Sequence, residues 1–139
     1  MISIGTGIGI FYWLNPLGPG NEDLEQGDIL FEGILVELNS SHWGTGNVQI
    51  VQLTNPNLQA QFVDVEIANG PDLYIYLSNK SFFIGLYDTS GDFINLGILP
   101  YNSGRFSVEI PTNTDFGDIK SILIWCLQFS VLFSYAILS

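Results

Sequence analysis

Residues 121–138 read Ser121-Ile122-Leu123-Ile124-Trp125-Cys126-Leu127-Gln128-Phe129-Ser130-Val131-Leu132-Phe133-Ser134-Tyr135-Ala136-Ile137-Leu138. This run decides the fold. β-Branched and aromatic residues dominate it, and these fit a pleated, buried surface better than a helix. Residues 122–127 are apolar at every position, which predicts an interior strand covered on both faces. In the second half Phe129, Val131, Phe133 and Tyr135 fall on one face, with Ser130 and Ser134 on the other. The run is long for one strand, so a bend or bulge is expected at Leu127-Gln128.

Upstream of this run the chain reads as strands and turns. Strands are expected over residues 29–38, 48–53, 58–67, 72–78, 82–87, 94–98 and 105–110. Residues 39–46 (Asn39-Ser40-Ser41-His42-Trp43-Gly44-Thr45-Gly46) read as a loop, and Asn69-Gly70-Pro71-Asp72 as a turn. The apolar phase of residues 58–67 switches near Phe62-Val63, which predicts a β-bulge or a strand bending between sheets. One short helical turn is expected near residues 113–116. With no sustained helical period, the predicted fold is all-β, a single antiparallel β-sandwich or partly closed barrel.

Composition narrows the function. A chain of 139 residues with 47% hydrophobic residues suits one domain with a sizeable core. Fourteen acids face three bases, Lys80, Arg105 and Lys120, for a net charge of −11. Such a chain repels phosphate backbones and anionic membranes, which argues against nucleic-acid binding. Residues 2–14 are nearly all apolar but shorter than the roughly 20 residues that span a bilayer. Their alternating glycines and the Tyr12-Trp13 pair predict the outer end of a membrane anchor, against a loosely docked N-terminal strand. Residues 15–28, with Pro16, Gly18, Pro19, Gly20, Gly27 and several acids, read as a linker. The expected organisation is a truncated anchor and acidic linker over 1–28, then a β-domain over 29–139. This places the domain in the periplasm or outside the cell, with a tether through its N-terminal segment.

Walker, dinucleotide and paired-histidine zinc motifs are missing. What remains is a single cysteine, Cys126, and a single histidine, His42. One cysteine cannot close a disulfide within the chain. A free cysteine is commonly core, yet its thiolate is also the reactive and metal-binding form. Asp72 is expected to accept hydrogen bonds in its turn.

His42-Trp43-Gly44-Thr45-Gly46-Asn47-Val48, then Gly70-Pro71-Asp72-Leu73-Tyr74-Ile75-Tyr76-Leu77-Ser78, Leu96-Gly97, Ile110-Pro111 and Ile124-Trp125-Cys126 form an ordered series. In order and spacing it resembles the DM-thirteen domain, which often accompanies DOMON domains in Skeletor-type proteins. The resemblance runs from about residue 29 to the C-terminus. It implies a compact β-domain, usually outside the cytoplasm, that takes part in electron transfer through its cysteine. Cys126 matches the family cysteine, His42 the loop histidine, and Gly70, Pro71 and Asp72 the Gly-Pro-Asp turn. The chain departs from the pattern after Trp125-Cys126, where Leu127 stands in place of a frequent acid. The expectation is an electron-transfer module centred on Cys126, rather than a stand-alone enzyme. One-electron work there requires a metal ion or haem held by Cys126 and His42, or a redox partner protein. The alternative is a binding or adhesion domain with a structural cysteine, whose Tyr74, Tyr76 and Tyr101 would face a small ligand. A Cys126/His42 hydrolase is the remaining reading.

Overall fold

The computed structural model describes residues 17–139; the anchor expected over residues 2–14 lies outside them. Ten strands form the described part: β1 (Pro19–Asn21), β2 (Gly27–Ile34), β3 (Glu37–Asn39), β4 (His42–Leu53), β5 (Leu58–Ile67), β6 (Leu73–Ser78), β7 (Phe93–Ile98), β8 (Ser103–Ile110), β9 (Ser121–Cys126) and β10 (Val131–Ile137). No helix occurs among the described residues, so the expected turn of helix near 113–116 is absent. None of them forms a helix long and apolar enough to cross a membrane.

The strands make two sheets, as an all-β sandwich requires. One runs β1-β8-β5-β4-β2 with β3 beside β4, the other β10-β9-β6-β7. All pairs are antiparallel except β1 with β8. The sheets close along one side, where Glu32 and Ser139 exchange backbone hydrogen bonds and Val36 donates to the Tyr135 carbonyl. The residues read as a linker are partly woven in: β1 pairs with β8, and Ser107 N donates to the Glu22 carboxylate at 3.1 Å.

Between the sheets lie Val48, Ile50, Ala60, Phe62 and Phe106 from one side and Ile75, Leu77, Ile122, Ile124 and Cys126 from the other. Phe62 and Phe106 are cross-strand partners with rings stacked at 4.7 Å. β9 lies between β10 and β6, buried at all six positions. Its outer face, Leu123 and Trp125, joins Tyr76 and Leu132 in a second cluster capped by Phe83. That second layer is why the strand is apolar on both alternating faces.

Four expectations are corrected. The 121–138 run is a hairpin, not one bent strand: residues 127–130 reverse the chain, with Ser130 at φ 52°. The β9–β10 register slips between Leu132 and Ser134. The bulge inverts the alternation beyond it, so Phe133 packs in the main core while Tyr135 packs against the outer cluster. β4 begins at His42, inside the expected loop, because β3 pairs with it in a tight turn capped by Asn39.

Finally, residues 82–87 form no strand. Their apolar residues alternate because Phe83 and Leu86 turn inward while Phe82, Ile84 and Tyr87 face solvent. Leu86 O accepts from Leu132 N, which lays this loop along β10. The bulge expected in β5 is present: its pairing with β8 slips between Phe62 and Val65, and Asp64 takes φ 52°.

Asp88 holds the outer loop together. Its carboxylate accepts from Ile84 N and Thr89 N at 2.9 and 2.8 Å and pairs with Lys80 at 2.9 Å. The Lys80 contact and the two amides lower its pKa from 3.8 to about 2. A depressed carboxylate adds stability that is complete above the unfolded value and is lost as pH falls through the folded one. Protection of the Ile84 and Thr89 amides from hydrogen exchange is therefore expected to hold above 3.8 and to fall towards pH 2. Protection independent of pH across that window would show that Asp88 does not order the loop.

Candidate functional site

Cys126 ends β9 and faces the core with no exposed surface. Its thiol donates to the Pro71 carbonyl at 3.1 Å. The chain then turns through residues 127–130, bringing the Phe129 and Gln128 amides to the sulfur. Burial pushes the thiol pKa up; the Phe129 amide lowers it, the Asp72 carboxylate raises it and the Gln128 amide lowers it. Burial dominates, so the resting group is a neutral thiol. The turn amides are placed to meet charge if it deprotonates.

The Gly-Pro-Asp turn backs this site through space and backbone. A Cβ on Gly70 would strike the Phe133 ring. Pro71 supplies the carbonyl that holds the thiol. Asp72 takes φ 61°, and its carbonyl accepts from Leu127 N at 3.0 Å, tying β6 to the turn that carries the amides. The expectation that its carboxylate is a hydrogen-bond acceptor is not met among the described residues. Asp is one of the few side chains at ease in the left-handed region. Asp72→Ala is therefore expected to lose about 1 kcal/mol, and Asp72→Gly or Asp72→Asn close to nothing. Equal losses in urea unfolding of all three variants would point to the carboxylate instead.

His42 opens β4 across the cavity. Asn39 Oδ1 accepts from Ser41 N and His42 N at 2.9 and 2.8 Å and lies 2.9 Å from His42 Nδ1. An amide oxygen only accepts, so Nδ1 is the donor in this contact and, in the neutral ring, Nε2 is the nitrogen with the lone pair. The ring meets Phe133 edge-on, with centroids 4.6 Å apart. His42 and Cys126 line one cavity of about 370 Å³ with Pro71, Tyr87, Phe129, Val131 and Phe133. No hydrogen bond joins imidazole to sulfur among the described residues. Sequence reasoning missed Tyr87, Phe129 and Phe133, since a loop, an unsignalled turn and a bulge position them.

No group of three or more His, Cys, Asp or Glu side chains that could hold a metal occurs among the described residues. A closed zinc or iron–sulfur site takes four donors, so Cys126 and His42 do not complete one. The cavity is at the small end for organic ligands and offers a haem no enclosed slot. Nor do Tyr74, Tyr76 and Tyr101 form an exposed ligand surface, for Tyr76 is 2% exposed and the other two are half-buried. A cavity of about 400 Å³ on the larger sheet is lined by Gln49, Gln61, Asp23 and Glu32, among others, and has no thiol or histidine.

Fold and site together define a two-sheet β-domain with a solitary thiol held at a strand end. A family model described as electron transfer DM13 matches residues 37–138, more than half the chain, and the chain belongs to that family. The description makes it a redox-associated module. No curated protein and no solved structure matches the chain.

Proposed function

We propose that the domain exchanges electrons with a partner through Cys126, with His42 as the neighbouring base. The observation that carries this reading is the shared cavity, which Cys126 and His42 both line. With no second cysteine in the chain and no third metal donor beside Cys126 among the described residues, the complementary redox group belongs to the partner. A disulfide is the simplest one. His42 Nε2 takes the thiol proton, and the turn amides stabilise the thiolate. The sulfur attacks the partner's disulfide, one S–S bond breaks, another forms to Cys126, and the released thiolate takes the proton back. Tyr87 and Phe129, both largely exposed, line the cavity through which a partner would reach the sulfur. An extracytoplasmic location is part of the proposal. It rests on the apolar residues 2–14 followed by an acidic linker without bases.

Glutathione disulfide provides the test. Native protein is expected to gain one glutathione adduct by mass spectrometry, with release of one glutathione. Cys126→Ser should gain none, and His42→Ala should react at least tenfold more slowly near neutral pH. Modification only after unfolding would make the thiol structural. The binding-domain reading would then stand, favoured by the buried thiol's bond to Pro71 O.

A further inference from the structure

Five large apolar side chains stand in water on the two loops nearest the cavity. Phe82, Ile84 and Tyr87 are 72%, 86% and 83% exposed, and Leu127 and Phe129 are 45% and 56%. Large apolar side chains left in water near one cavity are a mark of interaction sites. Tyr87 and Phe129 also line the Cys126 cavity. Ile84 shares the Asp88-centred turn with Tyr87, because Ile84 N and Asp88 N bond to Asp88 Oδ2 and Gly85 O. Leu127 and Phe129 belong to the turn whose amides reach the sulfur.

Apart from the Lys80–Asp88 pair, the charge beside the cavity is negative. The chain carries −11, and Asp72 lies close enough to Cys126 to raise its pKa. None of the three bases is free at the cavity mouth. Lys80 is paired with Asp88, Lys120 precedes β9 at the end opposite Cys126, and Arg105 is on β8 in the other sheet. An apolar, aromatic centre within a polar surround is the anatomy of a protein interface. Electron-transfer complexes sit at the small end, below about 1,200 Å² in total, which two loop tips can supply.

We propose that Ile84, Tyr87, Leu127 and Phe129 form the docking surface for a positively charged redox protein, which presents its redox group over the Cys126 cavity. This rests on the electron-exchange reading above and adds the partner's charge and footprint. Complementary charge steers such encounters and makes them sensitive to salt.

Cytochrome c, a basic redox protein, serves as the probe, with an acidic haem protein of similar size as control. Amide shifts of the isotope-labelled domain on titration are expected at Ile84, Tyr87, Leu127 and Phe129 with cytochrome c and not with the control. Affinity should fall at least tenfold in the double variant Tyr87→Ser/Phe129→Ser and again on raising salt from about 20 to 200 mM. Cys126→Ser should keep the footprint, so a failed glutathione reaction with an intact footprint sinks the chemistry and leaves the docking. Shifts elsewhere, no shifts, or equal binding of the acidic control overturn the proposal. So does occupation of the same residues by a second copy of the chain or by zwitterionic lipid vesicles in the absence of cytochrome c.

Discussion

Replacing Phe133 by alanine is expected to destabilise the domain by about 3–5 kcal/mol and to disorganise the cysteine site with it. Phe133 is 5% exposed and packs in the main core. Its ring lies against Gly70 on one side and meets the His42 ring on another. Truncation leaves a cavity between the two sheets and removes the surface that fixes the imidazole. Phe133→Leu keeps most of the volume and should lose less than half as much in urea unfolding. Both variants should slow the glutathione reaction of Cys126, because His42 loses its aromatic contact in each. A folded Phe133→Leu protein with an unchanged rate would mean that His42 is positioned by Asn39 alone.

Phe133 also shows where the sequence stops being informative. Period-two alternation predicts the two faces of β9 correctly, since a strand between two layers must be apolar throughout. Beyond the turn it assigns Phe133 and Tyr135 to one face. The structure separates them, because a single extra residue inverts everything after it. The reversal at residues 127–130 leaves no mark in the sequence pattern either. Leu127-Gln128-Phe129-Ser130 has no glycine, proline or asparagine, and its left-handed position is taken by Ser130. The phase switch within β5 was legible because apolar residues flank it on both sides, so the slip leaves a mark in the pattern.

The candidate site divides the same way. Cys126 and His42 stand out as unique residues, and Gly70-Pro71-Asp72 as turn chemistry. Their relation depends on β6 lying beside β9, which is not local information, and on β4 starting at His42, six residues early, in a turn capped by Asn39. Aspartate in turns commonly acts through its side chain, and the sequence predicts that role for Asp72. Here the residue works through its φ and its carbonyl. The residues that complete the cavity, Tyr87 and Phe129, carry no motif at all, and their distinction is large apolar area left in water beside a thiol.

Gly70→Ala is expected to cost about 1–3 kcal/mol, and the cost should depend on what occupies position 133. The φ of Gly70 lies outside the left-handed region, so the backbone itself tolerates a side chain. What forbids one is the Phe133 ring, which the new methyl would overlap. Two substitutions in direct contact are not additive, and a double-mutant cycle measures the difference. In a Phe133→Leu background the smaller side chain vacates the space the methyl needs. The cost of Gly70→Ala should then fall to roughly 0.5 kcal/mol or less, a coupling of about 1–2 kcal/mol. In the wild-type background the displaced ring should carry His42 with it. The glutathione reaction of Cys126 should therefore slow in Gly70→Ala, beyond any effect of stability, when both proteins are measured far below their unfolding midpoints. An equal penalty in both backgrounds would locate the constraint in the turn's backbone. The first residue of Gly-Pro-Asp would then serve the fold without reaching the site.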